Sequence, residues 1–160
     1  MIRYMAWSSQ IKSQYASVTD YVVQRRLHWE PPFTYVNPIP FADPADYKIL
    51  LNDWPYGVSP GITHLVAWIK TPVPVKEDGG DMTDDARRLI DAFVQRTFVD
   101  RLKGVHSNPE EHVLWFKNWT ALQSVRSLEH VHILVRDVPA DVLVDWTGER
   151  TLKQDASAPP

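Results

Sequence analysis

The sequence predicts an α+β fold: an antiparallel sheet with one long helix packed on it, plus an irregular N-terminal arm. Three observations carry that expectation. Four short segments rich in β-branched and aromatic residues are bounded by Pro, Gly, Asn and Asp. One longer stretch repeats its apolar residues at helical spacing. The resulting order, β-β-α-β-β-α, opens with two strands joined by a short connection, which favours antiparallel pairing. At 160 residues the chain is one domain with enough length to bury a core.

Residues 1–45 read as the arm, built around one short helix. Thr19 or Asp20 is the expected cap for 21–27, and Glu30-Pro31-Pro32 stops it, because proline cannot continue a helix. The Pro-rich segment to Pro44 reads as extended chain laid over the domain, which occupies 46–150. A first strand is expected at 47–53, stopped by Trp54-Pro55-Tyr56-Gly57, and Pro60-Gly61 turns the chain into a second at 62–70. Glu77 to Asp81 read as a solvated loop. Thr83 is a good N-cap with Asp84 and Asp85 in the first turn, where the helix dipole favours anions. Leu89, Ile90, Phe93, Val94 and Phe98 form the apolar stripe, and Gly104 supplies the stop. Strands follow at 112–117 and 130–136, then a short closing helix at 140–146 after Pro139 and before Gly148. The tail at 151–160 reads as disordered.

Composition narrows the function. The net charge of -3 gives no general attraction to nucleic acid or an anionic membrane, although a local basic cluster can still hold one phosphate. No cysteine is present, which excludes disulfides, thiolate nucleophiles and cysteine-ligated zinc, and suits the reducing cytoplasm. The first ten residues lack the apolar run of a signal peptide, and no run of about 18 apolar residues offers a membrane-spanning helix. A cytoplasmic protein with a small-molecule substrate is expected, without nucleic-acid or membrane partners. Seven Trp and thirteen Pro predict aromatic-lined pockets and several fixed turns.

The chemistry concentrates near the last strand. His130 and His132 alternate with Val131 and Ile133, so both imidazoles project from one face. Neutral imidazole can attack phosphorus or carbonyl carbon, take a proton, or bind a metal, and an ordinary pKa of ~6.5 suits each near neutrality. Two hydrogen-bonded strand histidines without a catalytic task would show the same pattern. Zinc would need a third ligand from His28, His64, His106, His112 or scattered carboxylates. No familiar zinc spacing links these, so neither metal nor cofactor is expected.

Lys117, Asn118, Gln123, Ser124 and Arg126 supply charge, amides and a hydroxyl that can line an anion site. Asn118 as a turn residue and Gln123 as a helix cap are the alternative. Asp53 can accept two hydrogen bonds from vicinal sugar hydroxyls, with Trp54 as a platform for a flat ring; Asn-Asp-x-Pro is also ordinary turn chemistry. Trp54, Trp115 or Trp119 is expected to wall the pocket. His64 shares a strand face with Val66 and Trp68 and reads as a supporting histidine rather than a catalyst. Glu110 and Glu111 read as surface charges.

Two segments carry a resemblance. Asn52-Asp53-Trp54-Pro55-Tyr56-Gly57 with Ile62-Thr63-His64-Leu65-Val66-Ala67-Trp68 is the first. Trp115-Phe116-Lys117-Asn118-Trp119 with Leu122-Gln123-Ser124-Val125-Arg126-Ser127-Leu128-Glu129-His130-Val131-His132 is the second. Together they resemble the fungal N-acetylglucosamine-induced protein family over roughly 45–148. More distantly they are similar to the histidine-triad (HIT) nucleotide hydrolases and transferases, which implies a HIT-like fold and a homodimer. By that likeness Asp53 takes the ribose-hydroxyl role and His64 the buried Thr-His position. Asn118, Gln123 and Ser124 fall at phosphate- and histidine-contacting positions. His130 becomes the nucleophile and His132 its phosphate-contacting neighbour. The sequence departs from the triad pattern: Leu128 stands at the first histidine, and one extra residue separates Gln123 from the pair.

The expectation is a small cytoplasmic enzyme acting on a small polar or phosphorylated metabolite, with nucleotides and nucleotide sugars as candidates. His130 serves as nucleophile or base, His132 as its partner, and Lys117, Asn118, Gln123, Ser124 and Arg126 stabilise negative charge. A cofactor-free lyase, isomerase or decarboxylase would use the same pair for proton transfer. A non-catalytic sugar- or protein-binding module is the third class. Both enzyme readings require the two rings to face a pocket shared with Asn118 and Asp53, away from the long helix.

Overall fold

The computed structural model describes residues 6, 9–11, 13–15, 17–30, 32–52, 59–78, 80–117 and 128–149. The arm helix α1 runs Val18–Tyr21 and continues as a π-helical turn, Val22–Leu27. It starts earlier than the sequence predicts. The Ser17 hydroxyl accepts the Asp20 N–H at 3.1 Å and donates to the Asp20 carboxylate at 2.9 Å, so Ser17, not Thr19 or Asp20, is the cap. It also ends before the prolines, at His28, whose left-handed backbone (φ 56°) closes the last turn.

Strands β1 (Tyr47–Leu51), β2 (Ile62–Ile69), β3 (Val113–Phe116) and β4 (Glu129–Arg136) form one antiparallel sheet in the order β1-β2-β4-β3. Gly61 enters β2 with φ 87°, and a Cβ there would lie 2.6 Å from Asp137 Oδ1, which explains the glycine. The third strand starts one residue later than its sequence suggests, because Pro109–His112 forms a 3-10 turn. The long helix α2 begins at Asp84, with the Thr83 hydroxyl accepting the Ala86 N–H at 3.1 Å. It is α-helical to Val94, then continues through a π-helical turn, Gln95–Val99, and a 3-10 turn, Asp100–Gly104. Helix α3 (Ala140–Thr147) follows Pro139 and closes at Gly148 (φ 68°).

Strand alternation divides the sheet into two faces. Ile49, Leu65, Ala67, Ile69, Val131, Ile133 and Val135 point to one, where Ile90, Phe93 and Phe98 of α2 and Leu143 of α3 complete the main core. Each fully buried aliphatic or aromatic side chain there contributes roughly 1.5–3 kcal/mol. Leu50, Val66 and Trp68 point to the other face, which α1 covers with Val22, Val23 and Leu27, and Leu128 completes this second cluster. Thus the arm is part of the packing. The Asp46 carboxylate, 1% exposed, accepts the backbone N–H groups of Val36 (2.7 Å) and Asn37 (2.9 Å). Phe41 stacks on Phe93 at 4.1 Å, its carbonyl accepting from Arg96 at 2.6 Å. Arg26 of α1 pairs with Glu149 and donates to the Leu51 carbonyl at 2.8 Å, while Glu149 accepts the Leu51 N–H at 3.0 Å. No helix among the described residues is long and apolar enough to cross a membrane.

Candidate functional site

The site is built on the sheet face opposite α2. Register decides this: His130 lies across from Trp68, His132 from Val66 and from Phe116, and His64 from Leu134. Cross-strand partners share a face, so three imidazoles from β2 and β4 gather with Trp68 and Phe116. Neither His130 nor His132 packs under the long helix. His130 is 3% exposed, with its ring 4.7 Å from that of Trp68 and 5.2 Å from that of His132. Phe116 stacks nearly parallel on His132, at 4.8 Å and 10°.

Hydrogen bonds fix the rings. His130 Nδ1 lies 2.9 Å from the Leu128 carbonyl oxygen, which can only accept, so Nδ1 carries the proton. His64 bridges two partners, with Nε2 2.9 Å from His132 Nδ1 and Nδ1 3.2 Å from the Asn52 side-chain nitrogen. Asn52 follows β1 directly, and its backbone N–H donates to the His64 carbonyl at 2.9 Å, which holds the two residues side by side. His132 Nε2 is buried and has no hydrogen-bond partner among the described residues.

All three imidazoles are less basic than an ordinary histidine. Burial is the leading cause for each. His132 is pushed down to about 3, with His130, His64 and Lys117 adding electrostatic opposition to a second positive charge. His130 is lowered by burial and Lys117 against the opposing effects of the Leu128 carbonyl and Glu129, and His64 is lowered by burial alone. At neutral pH the cluster is uncharged. Lys117, its side chain 6% exposed, pairs with Glu129 at 3.0 Å, so the cation the sequence offers for an anion is partly neutralised.

Of the residues singled out in the sequence, His130, His132 and His64 meet here, and Lys117 is felt there only through its charge, which opposes protonation of His130 and His132. Asp53, Trp54, Asn118, Trp119, Gln123, Ser124 and Arg126 lie outside the described residues, as does the tail at 151–160. Trp115 does not wall this site. It stands opposite Ile133 on the main-core face, and its indole N–H donates to Asp91 of α2 at 2.7 Å; Phe116, one residue on, is the aromatic beside His132. Phe116, Trp68 and Asn52 were missed by sequence reasoning. Strand parity could have found the first two; nothing local marks Asn52 as a partner of His64. A separate hollow of about 260 Å³ lies along β3 and β4, lined by Ile62, His112, Leu114, Leu134 and Arg136, and does not include the histidine cluster. Among the described residues no three His, Cys, Asp or Glu side chains converge as a metal site.

Fold and site define an α+β protein with an uncharged histidine cluster on the sheet face that its N-terminal arm covers. The chain belongs to the family described as "Protein of unknown function (DUF3605)", which matches residues 1–136 and therefore includes the arm. It is similar to N-acetylglucosamine-induced protein 1 of Candida albicans, at 32% identity over 90% of this chain and 61% of that one. It is also similar to the uncharacterized protein YPL067C of Saccharomyces cerevisiae, at 34% identity over 74% of this chain and 59% of that one. The chain thus spans about three fifths of the length of these relatives. A solved structure described as "Crystal Structure of HTC1" matches 96% of this chain and 81% of that chain, with a TM-score of 0.64 and 27% identity.

Proposed function

We propose that the protein is an enzyme acting on a small polar metabolite, with His130 as general base or nucleophile and His132 as its neighbour on the same substrate. One observation carries the reading: the Leu128 carbonyl holds the His130 proton on Nδ1, and lowered basicity keeps the ring neutral, which leaves the lone pair on Nε2. A lone pair fixed in direction beside a second neutral imidazole suits proton transfer or nucleophilic attack without a cofactor. The substrate is a phosphorylated metabolite or nucleotide sugar if Arg126 and the amides near it supply the anion site. The HIT-like form of the reading, nucleotidyl transfer through His130, belongs to this branch. A cofactor-free lyase or isomerase is the second reading, favoured by the pairing of Lys117 with Glu129, which leaves less positive charge for a phosphate. The name of the Candida relative adds amino sugars to the compounds worth trying.

Thermal-shift screening with nucleotides, nucleotide sugars, amino sugars and amino-sugar phosphates tests the proposal. A ligand at a hundredfold excess over its Kd adds about 2.7 kcal/mol. That corresponds to a rise on the order of 5–10 °C for a chain of this size. Turnover of a hit should fall by about 10²–10⁴-fold in His130→Ala. Full turnover in that variant removes the catalytic reading, and ligand binding without turnover of any candidate leaves a binding module. If substrates lacking phosphate react and Arg126→Ala spares the rate, the nucleotide branch fails.

A further inference from the structure

Resting on the enzymatic reading above, we propose that Asn52 acts through His64 as a positioning residue that fixes the tautomer of His132 and makes its Nε2 a hydrogen-bond donor to an oxygen atom of the substrate. The chain of contacts has one direction. The Asn52 side-chain nitrogen, which can only donate, faces His64 Nδ1 at 3.2 Å, so that nitrogen carries the lone pair. The single proton of neutral His64 is then on Nε2, which faces His132 Nδ1 at 2.9 Å and donates to it. His132 in turn keeps its proton on Nε2, the buried nitrogen that has no partner among the described residues. A buried donor without an acceptor is costly, and a carbonyl, carboxylate or phosphoryl oxygen of a ligand would satisfy it.

The consequence is a division of labour between two rings 5.2 Å apart. His130 presents a lone pair because the Leu128 carbonyl fixes its proton on Nδ1, and His132 presents an N–H because Asn52 and His64 fix its proton on Nε2. A base or nucleophile beside a neutral donor can pull on one substrate atom while the donor stabilises charge growing on an adjacent oxygen. Suppressed protonation keeps His132 in that role across the neutral range. A low pKa suits a neutral donor better than a base, for which a value near the working pH is best.

Long-range proton–nitrogen correlation spectra of the ¹⁵N-labelled full chain near pH 7 read the tautomers directly. His64 and His132 should each show a pyrrole-like Nε2 and a pyridine-like Nδ1, and His130 the reverse. In Asn52→Leu, which keeps the side-chain size and removes the donor, the two nitrogen shifts of His132 should move towards each other, while those of His130 stay in place. A protonated Nδ1 on His132 in the unaltered protein overturns the proposal, as does a folded Asn52→Leu protein with an unchanged His132 pattern. If that variant does not fold, the spectrum of the unaltered protein still decides. None of these spectra depends on turnover. An inactive protein with the expected tautomers defeats only the enzymatic reading, and an active one with the wrong tautomers defeats only the role given to Asn52.

Discussion

Acid should destabilise this protein through its histidines, and His132 sets the size of the effect. Its folded-state pKa of about 3 lies well below the ordinary 6.5 that the unfolded chain recovers. Between those values the unfolded form binds a proton that the native form refuses, so stability falls as pH drops below about 6.5 and levels off near 3. Between pH 7 and pH 5 the loss is about 2 kcal/mol from this group alone, at 1.36 kcal/mol per pH unit over a gap of about 1.5 units. His64 and His130, both lowered by burial, act in the same direction. Against a total stability on the order of 5–15 kcal/mol the change is readily measured. Urea unfolding at pH 7 and pH 5, for the unaltered protein and for His132→Gln, isolates the contribution, because the carboxylates titrate in both. The variant should lose at least about 2 kcal/mol less on acidification. Equal losses in the two proteins would refute the claim that a buried, neutral imidazole controls the acid limb.

Three further outcomes concern stability. Asp46→Ala removes two charge-assisted hydrogen bonds to the arm and should cost about 2–3 kcal/mol, less than their full sum because the Val36 end is near water; differential scanning calorimetry should show Tm lower by roughly 5–10 °C. Phe93→Ala empties the centre of the main core beneath Phe41 and should cost about 3–5 kcal/mol in chemical denaturation. Gly61→Ala sets a Cβ against Asp137 at positive φ and should cost more than about 1 kcal/mol, whereas Gly104→Ala, with open space around it, should come close to neutral.

The parts of the fold that were legible are those governed by local periodicity. Thr83, the aspartates after it and the stripe through Phe98 define α2 without help from the rest of the chain, and the alternation around His130 puts both imidazoles on one face. What escaped depends on pairing between distant segments. Whether Trp115 or Phe116 faces the histidines is a question of register against β4, and a shift of one residue would exchange them. The link from Asn52 to His64 depends on how the end of β1 pairs with β2, which no spacing rule within either segment supplies. The arm looked peripheral because its prolines signal irregular chain, yet Val22, Val23 and Leu27 seal the second face of the sheet. Lys117 reads as an anion contact in the sequence, and only the three-dimensional arrangement reveals Glu129 beside it.

The burial of Trp68 between α1 and His130 bears on how the protein can be handled in the laboratory. A shortened version that starts at β1, where the change in sequence character invites a cut, would unroof the indole and let water reach the imidazole behind it. The histidine would then regain ordinary basicity, and its measured chemistry would no longer be that of the intact molecule. Anyone trimming the chain for crystals or assays should therefore keep the first forty-five residues attached.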